Sequence, residues 1–289
     1  MRLNGRRESN NVEDRRGRSS MAGMGGLGIG GIIIAAILTW VMGGDPMSVL
    51  QSVDVTQMTT ENTQGGQQQF TPEEQELAKF TSQILAGTED VWTEEFKKMG
   101  RTYEAPHLVL YTGSTHTACG NGQAAMGPFY CSGDQTVYID LSFFMQMKAQ
   151  LGAGGDFAYA YVIAHEVGHH VQYLLGDLDE AHNQMNRVSK TEANRISVRL
   201  ELQADFYAGV WAYHDNQRFG SLEAGDIEEA LDCAQKIGDN YLQEKAQGRS
   251  VPDSFTHGTS AQRERWLKLG LTTGDVRRGD TFSPSYGSL

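Results

Sequence analysis

AYVIAHEVGHHVQ, residues 160–172, decides how this chain is read. It sits inside a helical pattern running from Phe157 to Leu175 and carries His165, Glu166 and His169. Residues four apart on a helix differ by about 40° around its axis, so the two imidazoles leave one face about a turn apart. That spacing lets two ring nitrogens take adjacent corners of a tetrahedral zinc. Glu166 projects beside them without ligating, where it can take a proton from an activated water and pass it to a leaving amine. His170 points about 100° away from His169 and is packed or exposed rather than a ligand.

A third ligand must come from elsewhere. A longer signature would place a histidine within six residues of His169, but those places hold Gln172 and Leu175. Downstream stands Glu201-Leu202-Gln203-Ala204-Asp205, in a helical stretch expected over 191–215. Glu201 can supply an anionic third ligand. Asp205, one turn on, can accept the second N–H of a ligand histidine and so fix its tautomer. Ala204, Ala208 and Ala212 line the same face and let this helix pack closely on the first. His182 and His214 are weaker alternatives for the third position. His107 and His116 fall near the strands with no pattern behind them.

Late in the chain, His257 stands in a turn before a helix expected over 260–269, with Arg263 six residues on. His257 can reach back to donate to the oxyanion of an attacked carbonyl; a local cap and a surface histidine would leave the same pattern. Upstream, LVLY (108–111) and TVYIDL (136–141) read as strands. Between them Cys119 and Cys131 enclose a glycine-rich loop that can bring its ends together in a disulfide. The TVYID strand is placed to pair with an extended peptide, with the cysteine loop framing one wall of a cleft. Cys233 reads as a buried core residue. Thr71-Pro72-Glu73-Glu74 is a helix start, with an N-cap, proline in the first turn and acids at the positive dipole end. A second short helix is expected from Thr88, carrying Val91, Trp92 and Phe96, and one more helix over 226–247. The sum is a mixed α+β domain with a small sheet early and helices late.

The net charge of −12 divides unevenly, with residues 1–44 at +3 and the remainder at −15. So acidic a body repels phosphate backbones, which argues against nucleic acid as a partner. No charged residue occurs between Arg18 and Asp45, and Gly25–Gly44 (GGLGIGGIIIAAILTWVMGG) is long enough as a helix to cross a bilayer. Arginines precede it. The expectation is therefore a cytoplasmic basic tail over 1–24, one transmembrane helix over 25–44, a polar linker over 45–70 and a zinc domain over 71–289. That places the domain in the periplasm or outside the cell, anchored in the inner membrane. A disulfide agrees with such an oxidising compartment.

Taken together, GRRESNNVEDRRG (5–17), GPFYCSGDQTVYIDLSFF (127–144), AYVIAHEVGHHVQ, RLELQADFYAGVWA (199–212) and THGTSAQRERW (256–266) resemble the predicted neutral zinc metallopeptidases of bacteria, the YpfJ-like family. The resemblance implies a zincin-like fold in which His165, His169 and Glu201 hold one zinc ion per chain, Glu166 is catalytic and Asp205 supports the ligands. Similar membrane-linked metallopeptidases carry a late histidine-and-arginine motif, which gives His257 and Arg263 added interest. Where those commonly have proline after the histidine, this chain has Gly258. The expected activity is hydrolysis of peptide bonds in a peptide or protein substrate. A binding or quality-control module with a structural zinc, and an amidase of cell-wall crosslinks, are the competing classes.

Overall fold

Thr71 caps the first long helix as its sequence requires. Its hydroxyl accepts from the Glu74 backbone N–H, and the Glu74 carboxylate takes the Thr71 N–H in return. The helix, α1 (Pro72–Lys98), does not stop at Gly87-Thr88 as expected; one helix replaces two. Gly87 is a point of close approach and not a break. A Cβ there would lie 2.8 Å from an Arg6 guanidinium nitrogen and 2.9 Å from an Asp215 carboxylate oxygen. The computed structural model describes residues 1–17 and 70–289, and the first of these segments lies against α1.

The main sheet has strand order β1-β2-β6-β5, from β1 (Val12–Asp14), β2 (His107–Tyr111), β5 (Phe129–Cys131) and β6 (Thr136–Asp140). β1 and β6 both run parallel to β2, and β5 is antiparallel to β6. β6 therefore has a neighbour on each side and cannot pair with a peptide, contrary to expectation; the edge strands are β1 and, next to β6, β5. Between β2 and β5 a small hairpin, β3 (Ser114–Thr117) and β4 (Gly120–Gln123), is tied to the end of β5 by the Cys119–Cys131 disulfide.

A short helix, α2 (Ser142–Gln146), runs into a π-helical turn at Met147–Leu151. The motif helix follows as α3 (Asp156–Leu175), then α4 (Asp177–Met185) and α5 (Lys190–Phe219). The helix expected over 226–247 is two, α6 (Asp226–Lys236) and α7 (Asp239–Gln247), parted at Ile237-Gly238. The last is α8 (Ser260–Thr273). α3 is enclosed by α1, α4, α5, α6 and β5. Its burial nearly all round explains why so much of it is apolar. Trp92, Phe157, Phe206 and Trp211 are fully buried in the shared core, each stabilising by about 1.5–3 kcal/mol or somewhat more. Gly168 lets α3 and α5 touch: a Cβ on it would meet the Ala204 carbonyl at 2.9 Å.

The first seventeen residues correct the expected cellular placement. β1 is hydrogen-bonded into the same sheet as β2, with Val12 opposite Leu108 and Asp14 opposite Leu110. A single crossing between residues 17 and 70 would put these neighbouring strands on opposite sides of a membrane. The arginines read as orienting a span instead pair with the acidic body: Arg2 with Glu223, Arg6 with Asp215, and Arg7 with Glu89 and Asp90. Among the described residues no helix is long and apolar enough to cross a membrane. The single-pass inner-membrane arrangement, with a cytoplasmic tail and a periplasmic or extracellular domain, is overturned on both grounds. The expected span at 25–44, and the linker up to residue 69, lie outside the described residues.

Candidate metal centre

His165, His169 and Glu201 bring three ligand atoms within 4.8 Å of one another. The contact between α3 and α5 makes this possible, since Gly168 and Ala204 remove the side chains that would hold the helices apart. Nε2 of His165 is 3.1 Å from one Glu201 oxygen, and Nε2 of His169 is 3.5 Å from the other. The two imidazoles are nearly perpendicular, with ring centres 4.8 Å apart.

Each imidazole is fixed through its other nitrogen. Nδ1 of His165 lies 2.8 Å from Oδ1 of Asp205, and Nδ1 of His169 lies 2.8 Å from Oε1 of Gln172. Both acceptors hold a proton on Nδ1, so each ring turns Nε2 toward Glu201 as the nitrogen a metal would take once any proton there is displaced. Two imidazoles and one carboxylate, with tautomers set for ligation and room for a fourth, exchangeable position, fit an open zinc site.

Asp205 is fully buried and has three partners. Besides His165, it accepts from Nε and Nη2 of Arg263 at 2.9 and 2.8 Å and from the Tyr161 hydroxyl at 2.5 Å. Burial alone would push the Asp205 carboxyl up, but Arg263 and His165 outweigh it and hold the group below the usual carboxylate range. Burial would likewise depress His165; Asp205 and Glu201 reverse that and raise it to about 10. Burial pushes Glu201 up, yet His169, His257 and His165 pull it below its ordinary value. Such a charge pattern attracts a cation, and protons and a divalent metal compete for it. Glu166, 8 % exposed, is raised from its ordinary value by burial, with His165 and His169 opposing. A carboxylate shifted toward neutrality is a better proton acceptor than an exposed one.

His257 borders the same cavity. Its Nδ1 is 3.2 Å from Oδ1 of Asp239, a fully buried residue at the start of α7. The other Asp239 oxygen accepts the backbone N–H groups of Thr256, His257 and Gly258 at 2.7, 2.7 and 3.0 Å. Burial would lower the His257 pKa, but Glu201 and Asp239 raise it above its ordinary value. Gly258 adopts φ +92°, which proline cannot, and it supplies one of those N–H donors. That accounts for glycine at this position.

Several residues went unread in the sequence. Asp239 had no motif around it, and its role depends on the break between α6 and α7. Tyr161 is one turn before His165, so helical spacing alone could have placed it beside Asp205. Gln172 was noted only as a missing ligand; its amide group also donates to the Leu200 carbonyl and to Gln203. His170 is fully buried, with Nε2 donating to the Glu104 carbonyl at 2.7 Å and Nδ1 facing the Tyr130 hydroxyl at 2.9 Å. Of the alternative ligands, His182 borders the cavity without joining the cluster, and His214 bonds the Gly274 carbonyl. Cys233 is buried against Met147, its thiol pushed up to about 12 by burial.

Comparison with known proteins agrees with this chemistry. The family model described as "Putative neutral zinc metallopeptidase" matches residues 1–282. "Uncharacterized protein YpfJ" of Escherichia coli (strain K12) is 52% identical over 99% of this chain and 100% of its own. "Uncharacterized protein Rv2575" of Mycobacterium tuberculosis is 43% identical over 63% of this chain and 64% of its own. No solved structure matches.

Proposed function

The chain belongs to the neutral zinc metallopeptidase family, and on that premise we propose that it is a zincin-like peptidase that hydrolyses peptide bonds with Glu166 as general base. The observation that carries this reading is the convergence of His165, His169 and Glu201 beside a buried Glu166, with Asp205 and Gln172 fixing the imidazoles from behind. His165, His169 and Glu201 would hold the metal. When bound, zinc supplies Lewis acidity, polarising a carbonyl and acidifying water.

The chain's own residues do the rest. Glu166 takes the proton of the attacking water and delivers it to the departing amine nitrogen. His257, with Nδ1 engaged by Asp239, steadies the negative charge that develops on the carbonyl oxygen. Arg263 and Tyr161 act on Asp205 and so keep the His165 ring in place; they do not touch the reacting atoms. The edge strand β5, beside α3, offers backbone groups along which an extended substrate can lie.

The test uses the full chain, because a fragment starting at residue 71 would lack β1. Zinc content and cleavage of an unfolded protein such as casein are measured for the wild type and Glu166→Gln. The expected result is one zinc per chain in both, with cleavage falling about a hundredfold or more in the variant. Equal cleavage by both would remove Glu166 from the mechanism, and failure of the wild type to hold zinc would remove the ligand set.

A further inference from the structure

The metal centre opens into a cavity of about 530 Å³. A cavity of about 150 Å³ is enough for one benzene ring, so this one has room for about three groups of that size. It falls within the range of roughly 300–1,000 Å³ typical of ligand pockets. Besides α3 and the stretch carrying His257 and Arg263, its walls come from four parts of the chain: the segment before and through β5, the α2 and π-helical turn, α4 with the first half of α5, and the region of α6 and α7. Phe129, Phe143, Met147, Leu178, Leu200 and Leu242 make these walls mainly apolar, with Ser132, Gln146 and Ser197 as uncharged polar residues among them.

The charges bordering the cavity are accounted for by the site. Its carboxylates are Glu166 and Glu201, both assigned to the reaction. Its one guanidinium, Arg263, already donates twice to Asp205. His182, at the rim, is held below its ordinary pKa by burial, so it adds no positive charge near neutral pH. A charged substrate side chain entering here would lose water and meet no counter-charge that is not already engaged, at a cost of several kcal/mol unless it neutralised. An apolar side chain would gain about 1.5–3 kcal/mol by burial.

We infer that this cavity selects peptide segments with bulky apolar side chains, aromatic or long aliphatic, next to the scissile bond, and rejects charged residues there. The inference rests on the peptidase reading and names its substrate class.

Two measurements test it separately from catalysis. Fluorescent peptides of one length, with Phe or Leu pairs at the centre in one and Asp or Lys pairs in the other, are titrated against zinc-loaded Glu166→Gln. Apolar peptides should bind about tenfold or more tightly than charged ones. Equal affinities would overturn the inference whatever the wild type cleaves; tight apolar binding without cleavage by the wild type would keep it and overturn the peptidase reading instead. Second, cleavage sites in unfolded proteins are sequenced for the wild type, Phe143→Arg and Met185→Lys. The last two place a cation on half-buried wall positions, so one failed fold leaves the other. The wild type should cut beside apolar residues. The variants should shift toward Asp and Glu, and an unchanged profile in every folded variant would overturn the assignment of these walls.

Discussion

His165 and His169 leave the same helix one turn apart and point at the same carboxylate, yet they are held from behind in different ways. His165 leans on the buried anion Asp205, itself gripped by Arg263 and Tyr161. His169 leans on the neutral amide of Gln172, whose other bonds run to the Leu200 carbonyl and Gln203. Gln203 continues to the Gly279 carbonyl, and His170, next to His169 on α3, is held below its ordinary pKa by burial and is neutral as well. One half of the centre is therefore ordered by charge and the other by uncharged hydrogen bonds. Charge-assisted bonds are stronger, but removing one partner of a buried charge leaves an uncompensated ion. The charged half should be the more brittle.

The largest expected effect tests that directly. Asp205→Ala leaves Arg263 and His165 buried without their anion, and chemical denaturation of the metal-free protein should show a loss of about 3–5 kcal/mol. Asp205→Asn keeps the shape and should lose less. A loss for Asp205→Ala no greater than that for Gln172→Ala would break the comparison.

Next comes acid. Burial lowers the His170 pKa to about 4 from an ordinary 6.5, against the raising influence of its bond to Glu104. Between those values the unfolded chain takes up a proton that the folded chain refuses. Stability from this source is complete above the unfolded value and is lost as pH falls toward 4, by up to about 3 kcal/mol. Denaturation of the metal-free chain across that window, with His170→Gln as the control lacking this slope, measures it.

On the neutral half, Gln172→Leu should cost about 1–3 kcal/mol, because it takes the donor from the buried Gln203 amide oxygen. It should also weaken zinc binding about tenfold, read by competition with a chelator. Gln172→Glu keeps an acceptor for His169 and should hold zinc more tightly than Gln172→Leu. An unchanged zinc affinity in both would mean that His169 needs no support. The smallest effect is expected for Tyr161→Phe, about 1 kcal/mol by denaturation, since Asp205 retains His165 and Arg263.

These two halves were not equally legible in the sequence. His165, Glu166, His169, Glu201 and Asp205 fall at fixed helical offsets, so periodicity alone brings them to facing surfaces. Thr71 and Pro72 announced a helix start for the same local reason. Gln172 lies at a readable offset from His169, but an amide carries no chemical signature, and its role appears only when Leu200 and Gln203 are seen beside it. Asp239 holds His257 from across a helix break. Gly87 looked like a helix boundary because the reason for a glycine there, the approach of Arg6 and Asp215, lies far off in the chain. Composition misled most in the first seventeen residues. A run of arginines before an apolar stretch resembles an orienting signal, whereas β1 and its ion pairs depend on partners that local patterns do not reveal.

The docking of the chain's beginning sets a timetable for its synthesis. The Met1 ammonium lies 3.4 Å from Asp226, and Arg6 grips the nearly fully buried Asp215 with two bonds. At roughly 5–20 residues per second, about ten to forty-five seconds pass on the ribosome between making Met1 and making Asp226. Throughout that interval the first strand has no completed body to join. A strand made before its body is thus among the latest elements to find its place.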